Sequence, residues 1–214
     1  MKDIYLFILN KKKIFSILLY FLIFSGCEKE HHSYNYLTDY AKTYGAFNIG
    51  SYWIYQQDSS LLIDSIYVID LKHTNWTRPI DSDGDIEHYE SLTCNLSSLI
   101  NSLSAYRIKV DSEVGYIDYN LYNWDANAAW QYAEENLVKI PHQDWSTVMY
   151  HDSININGNL YLKVYEIENH FYTPYDYKRL NAFVVSGVGL LKWSMLKNDS
   201  TIESWSLLRS RVVF

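Results

Sequence analysis

The sequence feature that most constrains the fold is the alternation of apolar residues around Asn157-Gly158. Apolar side chains stand at every second position on both sides of this pair: Ile154, Ile156, Leu160, Leu162 and Val164. A two-residue repeat is typical of a β-strand with one buried face. Asn-Gly is the favoured pair for a tight hairpin turn, because both turn positions need a positive φ. Residues 154–164 therefore predict an antiparallel β-hairpin.

Composition extends this β prediction to most of the chain. Of the 214 residues, 21 are Tyr and 7 are Trp, and aromatic residues make up 17%. Aromatic side chains are enriched in strands and fill cores with large packing surfaces, and they also suit stacking on sugar rings. Further strands are predicted at residues 52–55, 61–71, 106–110, 114–121, 182–186 and 202–213.

Gly187 and Gly189 lie between two of the predicted strands. No Lys-Ser/Thr pair and no helical pattern follow them, which excludes a phosphate-binding loop. We expect these glycines to form a bulge or a sharp bend between strands instead.

Residues 125–138 are the best helix candidate. Asp125 is a suitable N-cap, and the alanines of this segment favour a helix. Trp130, Ala133 and Leu137 fall on one helical stripe. The neighbouring Glu134-Glu135 pair cannot flank one glycosidic bond, because adjacent helix positions point about 100° apart. We therefore expect these two carboxylates on a solvated helix face.

The N-terminal residues have the features of an export signal. Lys11-Lys12-Lys13 precedes an apolar run of about 11 residues, 14–24, and Ser25-Gly26-Cys27 follows it. A membrane-spanning helix needs about 20 apolar residues. A basic segment, a short apolar segment and small residues together predict a cleaved signal peptide. The alternative is an uncleaved membrane helix, which would bury Asn10 and the three lysines in the bilayer.

Phe24-Ser25-Gly26-Cys27 resembles the bacterial lipobox, in which small residues precede an invariant cysteine. The family usually has Leu where this chain has Phe24. The resemblance implies cleavage before Cys27, a thioether-linked diacylglycerol on its sulfur, and acylation of the new amino terminus with a fatty acid such as palmitate. Several acyl chains make a durable anchor, since each buried methylene adds roughly 0.8 kcal/mol. Plain secretion, with Cys27 as a free thiol, is the alternative.

This interpretation divides the chain into three parts. They are a lipoprotein signal peptide (1–26), the lipidated cysteine with a flexible tether (27–44), and a β-rich globular domain (45–214). Glu28-Lys29-Glu30 resembles the export signal of some Bacteroidota surface lipoproteins. We therefore expect a lipid-anchored protein of the bacterial outer membrane, and both its periplasmic and its cell-surface leaflet remain open.

Two further segments are similar to Bacteroidota outer-membrane lipoproteins of unassigned role. Residues 50–55, GSYWIY, match the opening of their first strand, and residues 187–193, GVGLLKW, match a stretch before their penultimate strand. The resemblance implies a mainly β fold, namely a curved antiparallel sheet or partly open barrel with one short helix packed against it. It implies no catalytic residues and no cofactor.

The charge balance excludes some partners. Residues 1–26 carry four Lys and one Asp, so their removal changes the formal net charge from −7 to −10. An acidic protein of this kind is repelled by nucleic acid and by anionic headgroups. We therefore expect no nucleic-acid partner, and attachment to the membrane through the acyl chains alone.

Asp81, Asp83 and Asp85 are weak calcium candidates, since oxygen-rich loops bind that ion. Their spacing differs from the helix-loop-helix calcium motif, and Asp83-Gly84 also makes a good turn. We therefore expect a turn here and no metal site.

Cysteine and histidine add no further site. Cys94 lacks a partner once Cys27 is lipidated, so it is expected to be a small buried hydrophobe. His142, His151 and His170 show no spacing typical of metal ligands on one helix or strand.

Three functions follow from these features. The main hypothesis is a lipid-anchored binding or interaction protein without catalytic activity, whose partner is an unidentified protein or hydrophobic ligand. The first alternative is a carrier of a lipid or other hydrophobic ligand in a half-barrel cavity of at least a few hundred cubic ångströms. The expected cavity wall is Trp53, Tyr55, Leu160, Leu162 and Trp193. The second alternative, a glycan hydrolase, would need two facing carboxylates about 5 to 10 Å apart.

Overall fold

A computed structural model of the chain describes residues 31–80, 85–100, 106–113, 115–122, 126–133, 136–138, 146–170, 177–197 and 199–214. The chain divides into two units. The smaller unit is Met1–Ser33 with Thr77–Glu87, and the main unit is Tyr34–Trp76 with His88–Phe214.

The described residues form thirteen strands and one helix. In chain order they are β1 (His32–Asn35), α1 (Asp39–Gly45), β2 (Tyr52–Gln57), β3 (Ile63–Pro79), β4 (Ile86–Ser98), β5 (Tyr106–Asp111), β6 (Tyr116–Tyr122), β7 (Ala126–Ala133), β8 (Asn136–Val138), β9 (Ser146–Ile156), β10 (Asn159–His170), β11 (Tyr177–Val185), β12 (Gly189–Lys197) and β13 (Ile202–Arg211). None of the described residues belongs to a helix long and apolar enough to cross a membrane.

The strands form one sheet in the order β8-β7-β6-β5-β4-β3-β2-β13-β12-β11-β10-β9, and β1 pairs with β4. Successive strands are neighbours from β2 to β8 and again from β9 to β13, and β13 joins the two series because it pairs antiparallel with both β12 and β2. Strand β7, near one end of the order, also contacts β9, β10 and β11 at the other end. The sheet therefore curls into a half-barrel, which confirms the predicted mainly β, curved antiparallel fold with one short helix.

The concave face of the half-barrel carries the core. Cross-strand pairs place large apolar side chains in rows, such as Trp53 opposite Ile66 and Trp193 opposite Trp205. Helix α1 packs onto this face, because Ala41, Tyr44 and Gly45 are buried. Burial of apolar surface of this kind is the main stabilising contribution to such a fold.

The flexible tether predicted for residues 27–44 is wrong for its C-terminal part. Thr38 Oγ1 caps α1 by accepting a hydrogen bond from the Ala41 amide at 3.1 Å. Leu37 is buried, and its amide donates to Glu90 Oε2 at 2.8 Å. The capping residue and the buried side chains of α1 make this segment part of the domain core.

The helix predicted at residues 125–138 is also wrong, since this segment forms β7 and β8. The β7 backbone pairs with β6 from Tyr116↔Gln131 to Tyr122↔Ala126, and with β8 on its other side. Alanine's helix preference amounts to less than about 1 kcal/mol per residue. The ladder hydrogen bonds on both sides of β7 override that preference.

The hairpin predicted around Asn157-Gly158 is confirmed. Strands β9 and β10 pair from Asn159↔Ile156 to Asn169↔Ser146. Asn157 has φ 51° and Gly158 has φ 81°, the two positive angles that this turn requires. The bend predicted at Gly187 and Gly189 is confirmed as well, since the turn between β11 and β12 lies there and both glycines have positive φ.

Within the smaller unit, Asp85 Oδ1 accepts a hydrogen bond from the His31 amide at 3.3 Å. Arg78 and Glu87 form an ion pair at 2.9 Å. Asp81 and Asp83, the other two calcium candidates, lie outside the described residues, as do the signal peptide and Cys27.

Candidate functional site

Three of the five predicted cavity residues do lie together on the concave face. Trp53 is 3% exposed, Tyr55 2% and Trp193 4%. The Tyr55 and Trp193 rings pack edge to face with centroids 4.6 Å apart. Trp53 Nε1 donates to the Val188 carbonyl at 2.6 Å, and the Tyr55 hydroxyl donates to the Leu190 carbonyl at 2.8 Å. Trp53 and Tyr55 thus have their polar atoms satisfied by backbone, as core residues require.

The space beside these side chains is small. The cleft lined by Trp53, Tyr55 and Tyr119 measures about 20 Å³, which is room for about one water molecule. Phe47 packs edge to face on Trp53, with ring centroids 5.0 Å apart, and Tyr119 donates from its hydroxyl to the Tyr44 carbonyl in α1. At this position the concave face is therefore a filled core rather than the cavity expected for a carrier.

Leu160 and Leu162 do not belong to that wall, so their assignment as cavity residues is wrong. They are 66% and 62% exposed. Apolar residues do alternate along this part of β10. However, Lys163 has a positive φ of 55°, which interrupts the regular strand between exposed Leu162 and fully buried Val164. The two leucines therefore lie on the solvent side of the β9–β10 hairpin.

The structure contains a larger groove beside this hairpin, which we call the hairpin groove. Its volume is about 440 Å³. Its lining residues are Asp58, Ile154, Asn155, Ile156, Asn157, Phe183, Lys192 and Ser206. The groove therefore has the tip of the β9–β10 hairpin on one side and residues of β11, β12 and β13 on the other.

Cross-strand pairing builds the sheet side of the groove. Lys192 pairs with Phe183 on β11 and with Ser206 on β13, so the three side chains stand in one row. Asp58 follows β2 and joins this row because its amide donates to the Ser204 carbonyl at 2.9 Å. Four neighbouring segments thus fix the positions of the groove's polar groups.

An ion pair lies at the centre of this row. Lys192 Nζ is 3.1 Å from Asp58 Oδ2. The hydroxyls of Ser204 and Ser206 also donate to the Asp58 carboxylate, at 2.7 and 2.9 Å. Partial burial acts to raise the pKa of Asp58, but the hydrogen bonds from Ser204, Ser206 and Lys192 outweigh it, so its pKa is lowered. Asp58 is therefore a fixed, ionised acceptor at neutral pH.

The hairpin side of the groove is held in place by its turn. Asn157 Nδ2 donates to the Leu207 carbonyl of β13 at 2.9 Å, so the hairpin tip is fixed to the sheet. Asn155 Oδ1 accepts from the Gly158 amide at 3.0 Å, which closes the turn. The Asn155 side chain thereby keeps its amide group for other partners in the groove.

A second polar cluster lies next to Phe183. His151 Nε2 is 2.8 Å from Glu166 Oε2, and Asn181 Nδ2 donates to Glu166 Oε1 at 2.6 Å. The His151 ring centroid is 6.3 Å from that of Phe183. Glu166 thus bridges the hairpin and β11, and it holds the histidine beside the groove.

The remaining predicted candidates are apart from the groove. His170 pairs with Glu168 at 2.7 Å, and His142 lies outside the described residues, as do Glu134 and Glu135. Within the described ranges no three His, Cys, Asp or Glu side chains are grouped for metal binding. Cys94 is fully buried, as expected, with its sulfur 3.5 Å from the Phe47 carbonyl oxygen.

Sequence reasoning missed Asp58, Phe183 and Lys192 as site residues. A partial signal existed, because the polar Lys192 and Ser206 are each adjacent to a core tryptophan, Trp193 and Trp205. Period-two alternation turns such neighbours to opposite faces of the sheet. Nothing in the sequence indicated that the hairpin tip would cover part of that polar face.

Comparisons with known proteins identify no family. No protein-family model matches the chain, and no curated protein matches it. Among solved structures, a DUF1329 family protein from Desulfovibrio piger matches with 10% sequence identity and a TM-score of 0.22. The match covers 76% of this chain and 85% of that one.

Proposed function

We propose that this chain is a non-catalytic binding protein of the bacterial outer membrane, anchored by acyl chains on Cys27, and that its ligand occupies the hairpin groove. The observation that carries the binding part is the contrast between two spaces. The groove measures about 440 Å³ and the concave cleft about 20 Å³. Small-molecule sites in proteins usually measure about 300 to 1,000 Å³.

The geometry of the groove supports binding without chemistry. Asp58 already accepts hydrogen bonds from Ser204, Ser206 and Lys192, and its pKa is lowered, so it is a poor general base. In the described part of the chain, His151 is held by Glu166, and Glu166 is bonded in turn to Asn181 rather than to a serine or cysteine nucleophile. Fixed charges and amides of this kind serve recognition.

Support for the anchor comes from the sequence alone. The basic and short apolar segments before Phe24-Ser25-Gly26-Cys27 suit a lipobox leader, and the acidic mature chain gives no electrostatic attraction to a membrane. The carrier hypothesis has less support, because the aromatic residues expected to line its cavity are already in packed contacts: Tyr55 packs on Trp193, and Trp53 packs on Phe47.

The anchor is tested by the intact mass of the protein extracted from membranes. We expect a mass that corresponds to the chain from Cys27 with a diacylglyceryl group and an amide-linked acyl chain. Cys27→Ala is the matched control, and we expect it to lose both modifications and the membrane fraction. A wild-type mass that includes residues 1–26, or one without lipid, contradicts the anchor.

The binding site is tested by a fragment screen on the ¹⁵N-labelled, detergent-solubilised protein. The set contains neutral, acidic, basic and apolar fragments. We expect binders to shift the side-chain amide signal of Asn155, and Asn157→Gly to weaken them, because it keeps the turn but removes the bond to Leu207. Binders that shift only the indole signals of Trp53 and Trp193 would instead favour a carrier.

A further inference from the structure

We infer that the ligand of the hairpin groove is a neutral polyhydroxylated molecule, such as a sugar unit of a glycan, recognised by Asp58, Lys192 and Asn155 and stacked on Phe183. This inference rests on the proposed function, because it specifies the ligand of the same groove. It follows from the charge balance of the groove, from the mixture of donors and acceptors, and from the position of one aromatic ring.

The charge balance of the groove favours a neutral ligand. Lys192 and Asp58 neutralise each other at 3.1 Å. A ligand with a net charge would be attracted by one member of the pair and repelled by the other, so it would have to separate them. Breaking a hydrogen-bonded charge pair leaves one charge without its partner, at a cost that grows with burial. A neutral ligand leaves the pair intact.

The groove presents donors and acceptors side by side. Lys192 has three N–H donors, of which Asp58 takes one, and the Asp58 carboxylate has about four acceptor positions, of which three are used. The Asn155 amide adds two further donors, since its oxygen is taken by Gly158. A hydroxyl both donates and accepts, so neighbouring hydroxyls on one ring match this arrangement.

A purely apolar ligand matches the lining poorly. Five of the eight lining residues are polar, namely Asp58, Asn155, Asn157, Lys192 and Ser206. Covering polar groups with a hydrocarbon removes their water without replacing its hydrogen bonds, which costs about 1–3 kcal/mol for each group left unsatisfied. A fatty acyl chain is therefore an unsuitable occupant.

The apolar part of the lining suits the carbon skeleton of a sugar. Phe183 is half-buried and stands in the same row as Lys192, and Ile154 of the hairpin also lines the groove. A sugar ring has C–H groups on one face and hydroxyls at its edge. The positive C–H groups can lie on the negative face of the phenyl ring, while the edge hydroxyls reach the polar row.

The test is saturation-transfer NMR on the detergent-solubilised full-length protein with four probes: D-glucose, N-acetyl-D-glucosamine, D-glucuronate and hexanoate. We expect transfer to the ring C–H protons of at least one neutral sugar. Asp58→Asn is expected to weaken that sugar about 10-fold, the usual loss for one charge-assisted hydrogen bond. Phe183→Leu is expected to weaken it about 5-fold, since a stacking contact contributes less. The matched control is Tyr36→Leu, which removes an exposed aromatic ring outside the groove and should change nothing.

The outcomes separate this inference from the proposed function. Binding of glucuronate or hexanoate in the groove, with neither neutral sugar bound, overturns the ligand class and leaves a binding site in place. Sugar binding that Asp58→Asn and Phe183→Leu leave unchanged also overturns the inference, because the sugar then binds elsewhere. If none of the four probes binds while fragments still shift Asn155, only the ligand class fails. If fragments also leave Asn155 unshifted, the proposed function fails with it.

Discussion

Gly45 and Val110 lie so close together that a β-carbon built on Gly45 falls 2.5 Å from Val110 Cγ2. The same β-carbon would lie 2.9 Å from Ile108 Cγ2. Side-chain atoms do not approach one another to such distances without a shift. The last residue of α1 is therefore a glycine because the helix backbone packs directly on β5.

This contact predicts that Gly45→Ala destabilises the protein. Alanine alone would favour a helix by about 1 kcal/mol, but overpacking typically costs about 1–3 kcal/mol. We expect a net loss of free energy of unfolding, measured by urea titration. Asp39→Ala, on an exposed position of the same helix, is the control and should change stability by less than about 1 kcal/mol. A more stable Gly45→Ala variant would show that α1 does not pack this closely.

The burial of Asp118 leads us to expect an unusual pH dependence of the free energy of unfolding. Burial raises its pKa to about 6, although the charges of Arg107 and Lys109 act to lower it. An unfolded aspartate has a pKa of about 3.9. The folded protein therefore holds this proton more tightly than the unfolded chain does. The resulting stability is fully present below about pH 4 and is lost as pH rises through about 6.

The variant Asp118→Asn should remove this dependence. Relative to the variant, the wild type should lose up to about 3 kcal/mol of unfolding free energy between pH 4 and pH 7, from about two pKa units at 1.36 kcal/mol each. Asp58→Asn is the matched comparison of opposite sign, because the pKa of Asp58 is lowered. The contribution of ionised Asp58 to the free energy of unfolding is present above about pH 4 and disappears as the pH falls. It should be well under about 1 kcal/mol, because the Asp58–Lys192 pair is partly exposed. If the free energies of unfolding of the wild type and Asp118→Asn change in parallel with pH, the raised pKa of Asp118 is contradicted.

The backbone conformation of Leu61 leads us to expect that its replacement can stabilise the protein. It has a φ of 58°, a left-handed conformation that a leucine adopts only under strain. The turn imposes this angle, since the Leu61 amide donates to the Gln57 carbonyl at 3.0 Å and the Gln57 amide donates to the Leu62 carbonyl at 2.8 Å. The Leu61 side chain is 68% exposed, so little packing is lost on replacement.

We therefore expect Leu61→Asn to raise the free energy of unfolding by about 0.5–1 kcal/mol, because asparagine tolerates positive φ. Leu62→Asn tests the same polarity change at the next position, where φ is not positive, and should give no gain. Equal midpoints for the two variants in urea would mean that the backbone angle is not the cause.

We expect the reactivity of the Cys94 thiol to report on unfolding. It is fully buried, and desolvation raises its pKa to about 12. Only the exposed thiolate reacts with maleimides. We expect Cys94 labelling at pH 7 to be at least about 100-fold slower in the native protein than in urea, and to follow the unfolding transition. Cys94→Ala provides the blank, and fast native labelling would contradict the burial of this residue.

The parts of the fold that the sequence predicted correctly depend on local chemistry. Asn157-Gly158 and the residues around it determine a hairpin without help from the rest of the chain. The bend at Gly187 and Gly189 has the same origin. In both places a short stretch of sequence contains the residues that form the turn, together with the alternating apolar residues of the flanking strands.

The wrong predictions concern segments whose conformation depends on distant partners. Helix α1 has only seven residues, too few to show a helical repeat of apolar residues in the sequence. Its stability comes from the packing of Tyr44 and Ala41 against the sheet. Residues 126–133 have helix-favouring alanines, yet the open edge of β6 makes them a strand. Leu162 and Val164 lie on either side of Lys163, whose positive φ lysine rarely adopts and no sequence pattern indicates, so the exposure of Leu162 next to buried Val164 was not predictable.

The place of β13 between β2 and β12 has a consequence for biosynthesis. Trp205 pairs with Trp193 on one side, and Leu207 pairs with Tyr55 on the other, about 150 residues earlier in the chain. Before residues 202–211 have been translated, no ladder among the described strands joins β2–β8 to β9–β12. The sheet of the main unit therefore cannot be completed stepwise during synthesis, and a nascent chain that stalls short of β13 exposes the unpaired edges of β2 and β12 to aggregation.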